Sequence, residues 1–146
     1  MSTTTQNYSN HRKFVPMFHG VLLGILVLTL IGSIVNLANS FGDHERLYSA
    51  ALITVLVVSM LMLSLFCRIF ALKAQDRAIR AEENLRHFAM TGKLLDARLT
   101  IGQVIALRFA ADAEFVELAK RAAAEGMAPD AIKQAVKNWR ADTYRV

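Results

Sequence analysis

Two long runs without Asp, Glu, Lys or Arg dominate the hydropathy pattern, one from Phe14 to Gly42 and one from Leu47 to Cys67. A helix needs about 20 apolar residues to cross about 30 Å of hydrocarbon, and it satisfies its own backbone polar groups there. Each run therefore predicts a transmembrane helix, which we place at 15–37 and 47–72. Because the connection between the runs is short and polar, the pattern predicts a transmembrane helical hairpin.

A cleavable signal sequence is the alternative interpretation of the first run. Arg12 and Lys13 precede the run, and Ala38-Asn39-Ser40 at its end has the small-x-small form of a cleavage site. The apolar core of a signal sequence is usually about 7 to 15 residues, however, which is much shorter than this run. We therefore expect a retained span.

The second span is predicted to continue as a helix into the polar part of the chain. The stretch from Lys73 to Ala89 contains neither Pro nor Gly, and Gly92 is a typical residue just past a helix C-terminus. Glu82 and Arg86 have the acid-before-base i, i+4 spacing of a helix-stabilising pair. The prediction is a basic juxtamembrane helix over 73–91.

Three shorter helices are predicted in the remaining region, 92–146. Thr100 and Gln103 form a capping-box pattern that opens the first, and Asp112 is the N-cap candidate of the second, which Gly126 ends. Pro129 is suited to the first turn of the last helix, predicted over 129–144.

Apolar stripes on these three helices, including Trp139, predict one small shared core. The expected fold class is all-α: a transmembrane hairpin whose second span continues into a cytoplasmic helix, followed by a small bundle of three short helices. The expected domains are a tail (1–14), the hairpin (15–72), the basic helix (73–91) and a small cytoplasmic helical domain (92–146).

Charge sets the predicted orientation. The 146-residue chain has a net charge of +5, and its basic residues concentrate before the first span and after the second. Cytoplasmic flanks of spans are enriched in Lys and Arg, so both termini are predicted to face the cytoplasm. The candidates for contact with anionic headgroups or a partner are Arg68, Lys73, Arg77 and Arg80.

Small residues mark a candidate packing face in the first span. Gly20, Gly24 and Gly32 lie on one i, i+4 row, and such rows let another helix approach closely. The partner helix is either the second span or a helix of another copy or another membrane protein.

A basic face is predicted on the last helix, opposite its apolar side. Lys133, Lys137 and Arg140 form this face. It either contacts phosphates of lipid or nucleic acid, or is an ordinary solvated face.

The sequence contains no recognisable catalytic motif. There is no Gly-rich phosphate loop and no G-x-S-x-G, and Glu83 with His87 one turn later lacks a third metal ligand in sequence. Cys67 is the single cysteine. The sequence therefore predicts no enzyme, no catalytic residue, no cofactor and no metal site.

Several stretches together resemble a family of small, uncharacterised bacterial two-span membrane proteins with a helical cytoplasmic tail. They are Gln6 to Tyr8, Asn10-His11, Phe14 to His19, Arg68 to Arg77, Ile79-Arg80, Ala106 to Ala110, Asp112, Ile132-Lys133, Lys137 to Arg140, Asp142 and Arg145-Val146. The resemblance implies a multi-pass protein of the bacterial inner membrane and brings no activity, cofactor or catalytic residue with it.

The functional hypothesis is a non-enzymatic membrane accessory or scaffold protein that docks a partner or oligomerises through its hairpin and cytoplasmic helices. Its expected partners are the lipid bilayer and a second copy or a larger membrane protein. The alternatives are a membrane-tethered binder of nucleic acid or anionic lipid, and a small subunit of a transporter complex. Of these partners, nucleic acid is the least favoured, because the positive charge lies beside the predicted spans.

Overall fold

A computed structural model of the chain describes residues 6–11 and 13–142. These residues form a π-helix, Met17–Leu22, and five α-helices. The helices are α1 (Leu23–Asn39), α2 (His44–Thr91), α3 (Ile101–Leu107), α4 (Asp112–Glu125) and α5 (Pro129–Ala135). No strand is present in the described ranges, where the one extended pairing is an isolated bridge between Ala110 and Trp139. The predicted all-α class is confirmed.

Two helical segments, Met17–Asn39 and His44–Thr91, are long and apolar enough to cross a membrane, judged by length and composition. They correspond to the predicted helices at 15–37 and 47–72. The second is a single helix of 48 residues, so the predicted continuation beyond the apolar run is also confirmed. The π-helical start of the first segment was not predicted.

The chain divides into two compact units. Residues 14–71 form one, named here the apolar unit. Residues 1–13 and 72–146 form the other, named here the polar unit. The residues of α2 are shared between the two.

Within the apolar unit, buried side chains recur at seven-residue intervals. They are Leu26 and Ser33 on the first helix, Ser40 directly after its end, and Ala50 and Val57 on the second. The single O–H of Thr54 is shared between the carbonyl oxygens of Ser33, at 3.2 Å, and Ala50, at 2.9 Å. Small and hydroxylated side chains therefore line the row along which the two apolar helices meet, as they do in many membrane helix pairs.

The polar unit has one hydrophobic core, to which α3, α4 and α5 all contribute. The largest fully buried side chains are Val104, Leu107, Phe109, Phe115 and Ile132. Trp139 packs against this core while remaining partly exposed, and its ring centroid lies 4.9 Å from that of Phe109.

The predicted helix ends depend on local chemistry and are largely confirmed. Gln103 Oε1 accepts from the Thr100 N–H at 2.7 Å, and Thr100 Oγ1 accepts from the Gln103 N–H at 3.4 Å, which completes the capping box. Gly126 ends α4 with a left-handed φ of 61°. The N-cap of α4 is Ala111 rather than Asp112, whose carboxylate is instead bound by Arg86.

The last helix is shorter than predicted and ends at Ala135. The Glu114 carboxylate accepts from the N–H groups of Lys137, at 3.1 Å, and Asn138, at 2.8 Å. The Arg140 N–H donates to the Phe109 carbonyl at 2.7 Å. These bonds satisfy the backbone outside a helix, so the predicted extension to residue 144 is wrong within the described residues; Tyr144 itself lies outside them.

Candidate functional site

A group of charged side chains meets at one side of the polar unit. Glu83 of α2 is at its centre and, with Arg86, Asp112 and Arg140, forms what we call the Glu83 cluster. The Glu83 side chain is only 5% exposed and that of Arg86 11% exposed. Charged groups this deep are stable only when paired and hydrogen-bonded.

Arg86 is the most highly bonded member of the cluster. Its Nη1 donates to Glu83 Oε2 at 2.9 Å, its Nη2 to the Ala110 carbonyl at 2.8 Å, and its Nε to Asp112 Oδ1 at 2.8 Å. The guanidinium carbon also lies 4.1 Å from the centroid of the Phe115 ring. Arg86 therefore pairs with Glu83 and Asp112 rather than with the predicted partner Glu82, because only the former pairing brings it into contact with α4 and Ala110.

Two further arginines continue the network. Arg140 Nη1 lies 3.4 Å from Glu83 Oε1. The buried Arg108 side chain reaches Asp142, with 3.1 Å between Nε and Oδ2, and stacks over the Phe109 ring at 4.7 Å. Arginine suits this role, since its planar fork of donors bonds several acceptors and stacks on aromatic faces.

The cluster borders an open cleft of about 590 Å³ that is also lined by Glu82 and Ala111. Within it, hydrogen bonds from Arg86 first, and then the positive charges of Arg86 and Arg140, lower the pKa of Asp112. Asp112 is therefore ionised at neutral pH. The carboxylates and arginines alternate and neutralise one another, so the arrangement joins α2, α4 and the C-terminal segment.

The N-terminal segment, expected to be a separate tail, belongs to the polar unit. Gln6 Oε1 accepts from the Asp142 N–H at 2.7 Å, and Gln134 Nε2 donates to the Tyr8 hydroxyl at 3.2 Å. The His11 ring centroid lies 6.0 Å from that of Trp139. The one sequence signal for this docking is the presence of aromatic and imidazole rings in an otherwise polar tail.

The predicted glycine face of the first span does not form the contact between the apolar helices. A Cβ built on Gly20, Gly24 or Gly32 would meet no heavy atom within 4 Å. The helices meet instead along the row that includes Ser33 and Ala50. Of the two predicted partners for the glycine face, the second span of the same chain is therefore not supported.

The predicted juxtamembrane basic residues all lie on α2. The Arg68 guanidinium is 5.8 Å from the Phe18 ring centroid, whereas Lys73, Arg77 and Arg80 are exposed. Their contact with headgroups or a partner stays a prediction.

The predicted basic face of the last helix is not a helix face. Only Lys133 lies on α5, where its ammonium is 3.0 Å from Asp130 Oδ1. Lys137 and Arg140 follow the end of the helix, and Arg140 is directed to Glu83. The helix stops before these two residues because Glu114 binds the backbone there, so the three basic residues do not form one continuous row.

Glu83 and His87, which have the spacing of possible metal ligands, each bind other groups of the protein. Glu83 binds arginines, and His87 Nδ1 lies 2.6 Å from the Lys93 carbonyl. In the portion of the chain that the structure describes, no group of three or more His, Cys, Asp or Glu residues is placed to hold a metal ion. Cys67 is free and exposed.

Comparison with known proteins gives a family but no activity. No curated protein and no solved structure matches the chain. One family, described as a family of unknown function (DUF6526), matches residues 1–146. The chain therefore belongs to the DUF6526 family.

Proposed function

We propose that the protein is a non-enzymatic accessory protein of the bacterial inner membrane, with the apolar unit embedded as a two-span hairpin and the polar unit displayed in the cytoplasm as a docking module. One observation carries this proposal. The segment before the first apolar helix and the region after the second pack together in the polar unit.

The packing of the two ends limits the possible topologies. If the apolar helices cross a membrane, the segments before and after them can share one folded unit only when the chain between them crosses an even number of times. Two helices have the required length, which supports a hairpin with both ends on the same side. The basic residues that flank the spans favour the cytoplasmic side.

The surface of the apolar unit supports embedding. Large apolar side chains such as Leu28 and Leu56 are 71% and 61% exposed on its helices. Apolar surface of this extent is not stable in water and requires lipid or other helices around it.

The charge arrangement of the polar unit supports docking over catalysis. Its buried charges form matched ion pairs that join structural elements, so their evident role is to hold the unit in one shape. Exposed apolar side chains on α2, Leu85 and Phe88, provide a contact surface outside the apolar unit.

Crosslinking within one chain tests the same-side topology. In a Cys67→Ser background, Tyr8→Cys and Gln134→Cys are introduced together and treated in native membranes with a short bifunctional thiol reagent. We expect an intramolecular crosslink, since the two side chains are in contact, and no crosslink when Tyr8→Cys is combined with Glu117→Cys on the exposed surface of α4. Failure of the first pair to crosslink, or release of the protein by alkaline carbonate, would contradict the proposal.

The accessory role is tested by the mass of the assembly. Full-length protein extracted from its own membrane into native nanodiscs is expected to be a defined oligomer or a defined complex. A monodisperse monomer without a partner would rule out the docking role while leaving the topology in place.

A further inference from the structure

A prominent exposed apolar surface of the polar unit lies on α2. Leu85 and Phe88 are 68% and 51% exposed, although they lie beyond the apolar part of the helix. At about 100° per residue they are on the opposite side of α2 from the buried Ile79 and Glu83. Residues 6–11, 13 and 72–142 of the polar unit therefore leave this face uncovered.

The exposed face repeats with the period of a coiled coil. Ala74, Ala78, Ala81, Leu85 and Phe88 alternate by four and three residues, and all five are exposed. Apolar residues at this spacing form the seam between two supercoiled helices, and alanines let the backbones approach closely. We call this row the α2 seam.

Charges beside the α2 seam indicate which partner fits it. Arg77 and Glu82 are exposed on opposite flanks of the seam, five residues apart. In a parallel coiled coil, the residue just before a seam residue whose next seam neighbour is three positions on faces, on the other helix, the residue five positions later. Arg77 directly precedes such a seam residue, Ala78. Arg77 of one copy would thus face Glu82 of a second copy, and this opposite-charge pair would form twice.

We propose that the α2 seam pairs in parallel with the same seam of a second copy of this chain. The inference rests on the proposed membrane embedding, because two copies with one topology have their α2 helices running in the same direction. A seam of this length is weak for free helices in water, and tethering in one membrane raises the effective concentration of the partner.

Disulfide trapping tests the pairing in native membranes. The full chain carries Cys67→Ser with either Ala81→Cys, on the seam, or Met90→Cys, on another side of α2 and also exposed. Oxidation is expected to give a covalent dimer with Ala81→Cys and little with Met90→Cys. Equal dimer yields from both positions indicate random collision and overturn the proposal.

Charge reversal tests the predicted pair in the Ala81→Cys chain. Arg77→Glu alone places acidic residues opposite each other, and we expect about fivefold less dimer. Glu82→Arg alone is expected to act similarly, and the double variant to restore dimer formation. Because the double variant keeps both changes, rescue excludes loss of folding as the cause.

The outcomes separate this inference from the proposed function. A chain that remains membrane-embedded and forms the Tyr8-to-Gln134 crosslink, but gives no dimer at Ala81→Cys, overturns the seam and leaves the topology intact. A crosslink to a different protein, or double reversal without rescue, also overturns it.

Discussion

Arg86 is clamped between an ion pair and an aromatic ring: its Nη1 is 2.9 Å from Glu83 Oε2, and its guanidinium carbon is 4.1 Å from the Phe115 ring centroid. This single side chain connects α2 with α4. A buried arginine left without its carboxylate would be strongly destabilising, because its charge would have lost solvent and partner together.

Removal of Glu83 is therefore expected to be costly. Glu83→Ala should lower the free energy of unfolding of the polar unit by about 3 kcal/mol, since it leaves Arg86 partly unpaired in a buried position. Urea unfolding in detergent micelles, followed by the fluorescence of the single Trp, Trp139, measures this. Glu117→Ala is the matched control: the Glu117 to Lys120 pair is exposed, and its loss should change stability by less than about 0.5 kcal/mol. Equal effects of the two substitutions would contradict the structural role of the cluster.

The capping box provides a second, graded prediction. Thr100→Ala should destabilise the polar unit by about 1 kcal/mol through loss of the N-cap bond. Gln103→Ala should cost more, because the Gln103 side chain also donates to the Met127 carbonyl at 2.8 Å and is buried. The same unfolding assay checks the order, and the reverse order would mean that the bond to Met127 contributes little.

Acid should selectively weaken the ion pair between Arg86 and Asp112. The pKa of Asp112 is lowered from its ordinary 3.8 by the hydrogen bond from Arg86. The stabilisation is therefore complete above about pH 5, where the carboxyl is also ionised in the unfolded chain, and is lost as the pH falls through 3.8 to the lowered pKa. Asp112→Asn is expected to be less stable than the natural chain at neutral pH, by less than about 1 kcal/mol because the carboxylate is exposed. The difference should narrow below pH 4, and a constant difference would exclude this linkage.

The exposed Asp96 titrates in the same acid range, but it is present in both the natural chain and the Asp112→Asn variant. A side-chain hydrogen bond from Arg98 lowers the pKa of Asp96 to about 2. Because both chains contain this local pair, its contribution cancels when the Asp112→Asn variant is compared with the natural chain.

Substitution of two small residues of the apolar helices should have different effects on the stability of the helix contact. Ala50 is 1% exposed in the row between the helices, so Ala50→Leu should overpack that contact and destabilise it by about 1 to 3 kcal/mol. Gly32→Leu is the control, since its Cβ would meet no heavy atom within 4 Å other than the adjoining backbone of its own helix. Unfolding of purified protein by sodium dodecyl sulfate, followed by circular dichroism, compares them. A larger loss for Gly32→Leu in the isolated monomer would contradict the observed helix contact.

Much of the fold could be predicted because it depends on neighbouring residues. The charge-free runs predict long apolar helices, since a helix of this kind can be predicted from its own apolar residues, whatever its tertiary contacts. The Thr100 to Gln103 capping box and the stop at Gly126 are also local, because every group involved lies within one turn or requires only one backbone conformation.

The errors arise where residues far apart in the chain compete with local preferences. Helix propensity extends the last helix beyond Ala135, but Glu114 binds the following backbone N–H groups across 23 and 24 residues. Similarly, Arg86 has a local candidate partner in Glu82, and α4 instead offers it Asp112 together with the Phe115 ring.

The sequence by itself determined which segments are apolar, where most helices begin or end, and the sign of the charge beside each span, because these depend on composition and short-range bonding. Only the tertiary structure decided that the N-terminal segment packs with the C-terminal region, and that the glycine row is not the contact between the apolar helices. It also decided which face of α2 is covered. Those outcomes depend on which surfaces meet, and no periodicity within one helix specifies its partner.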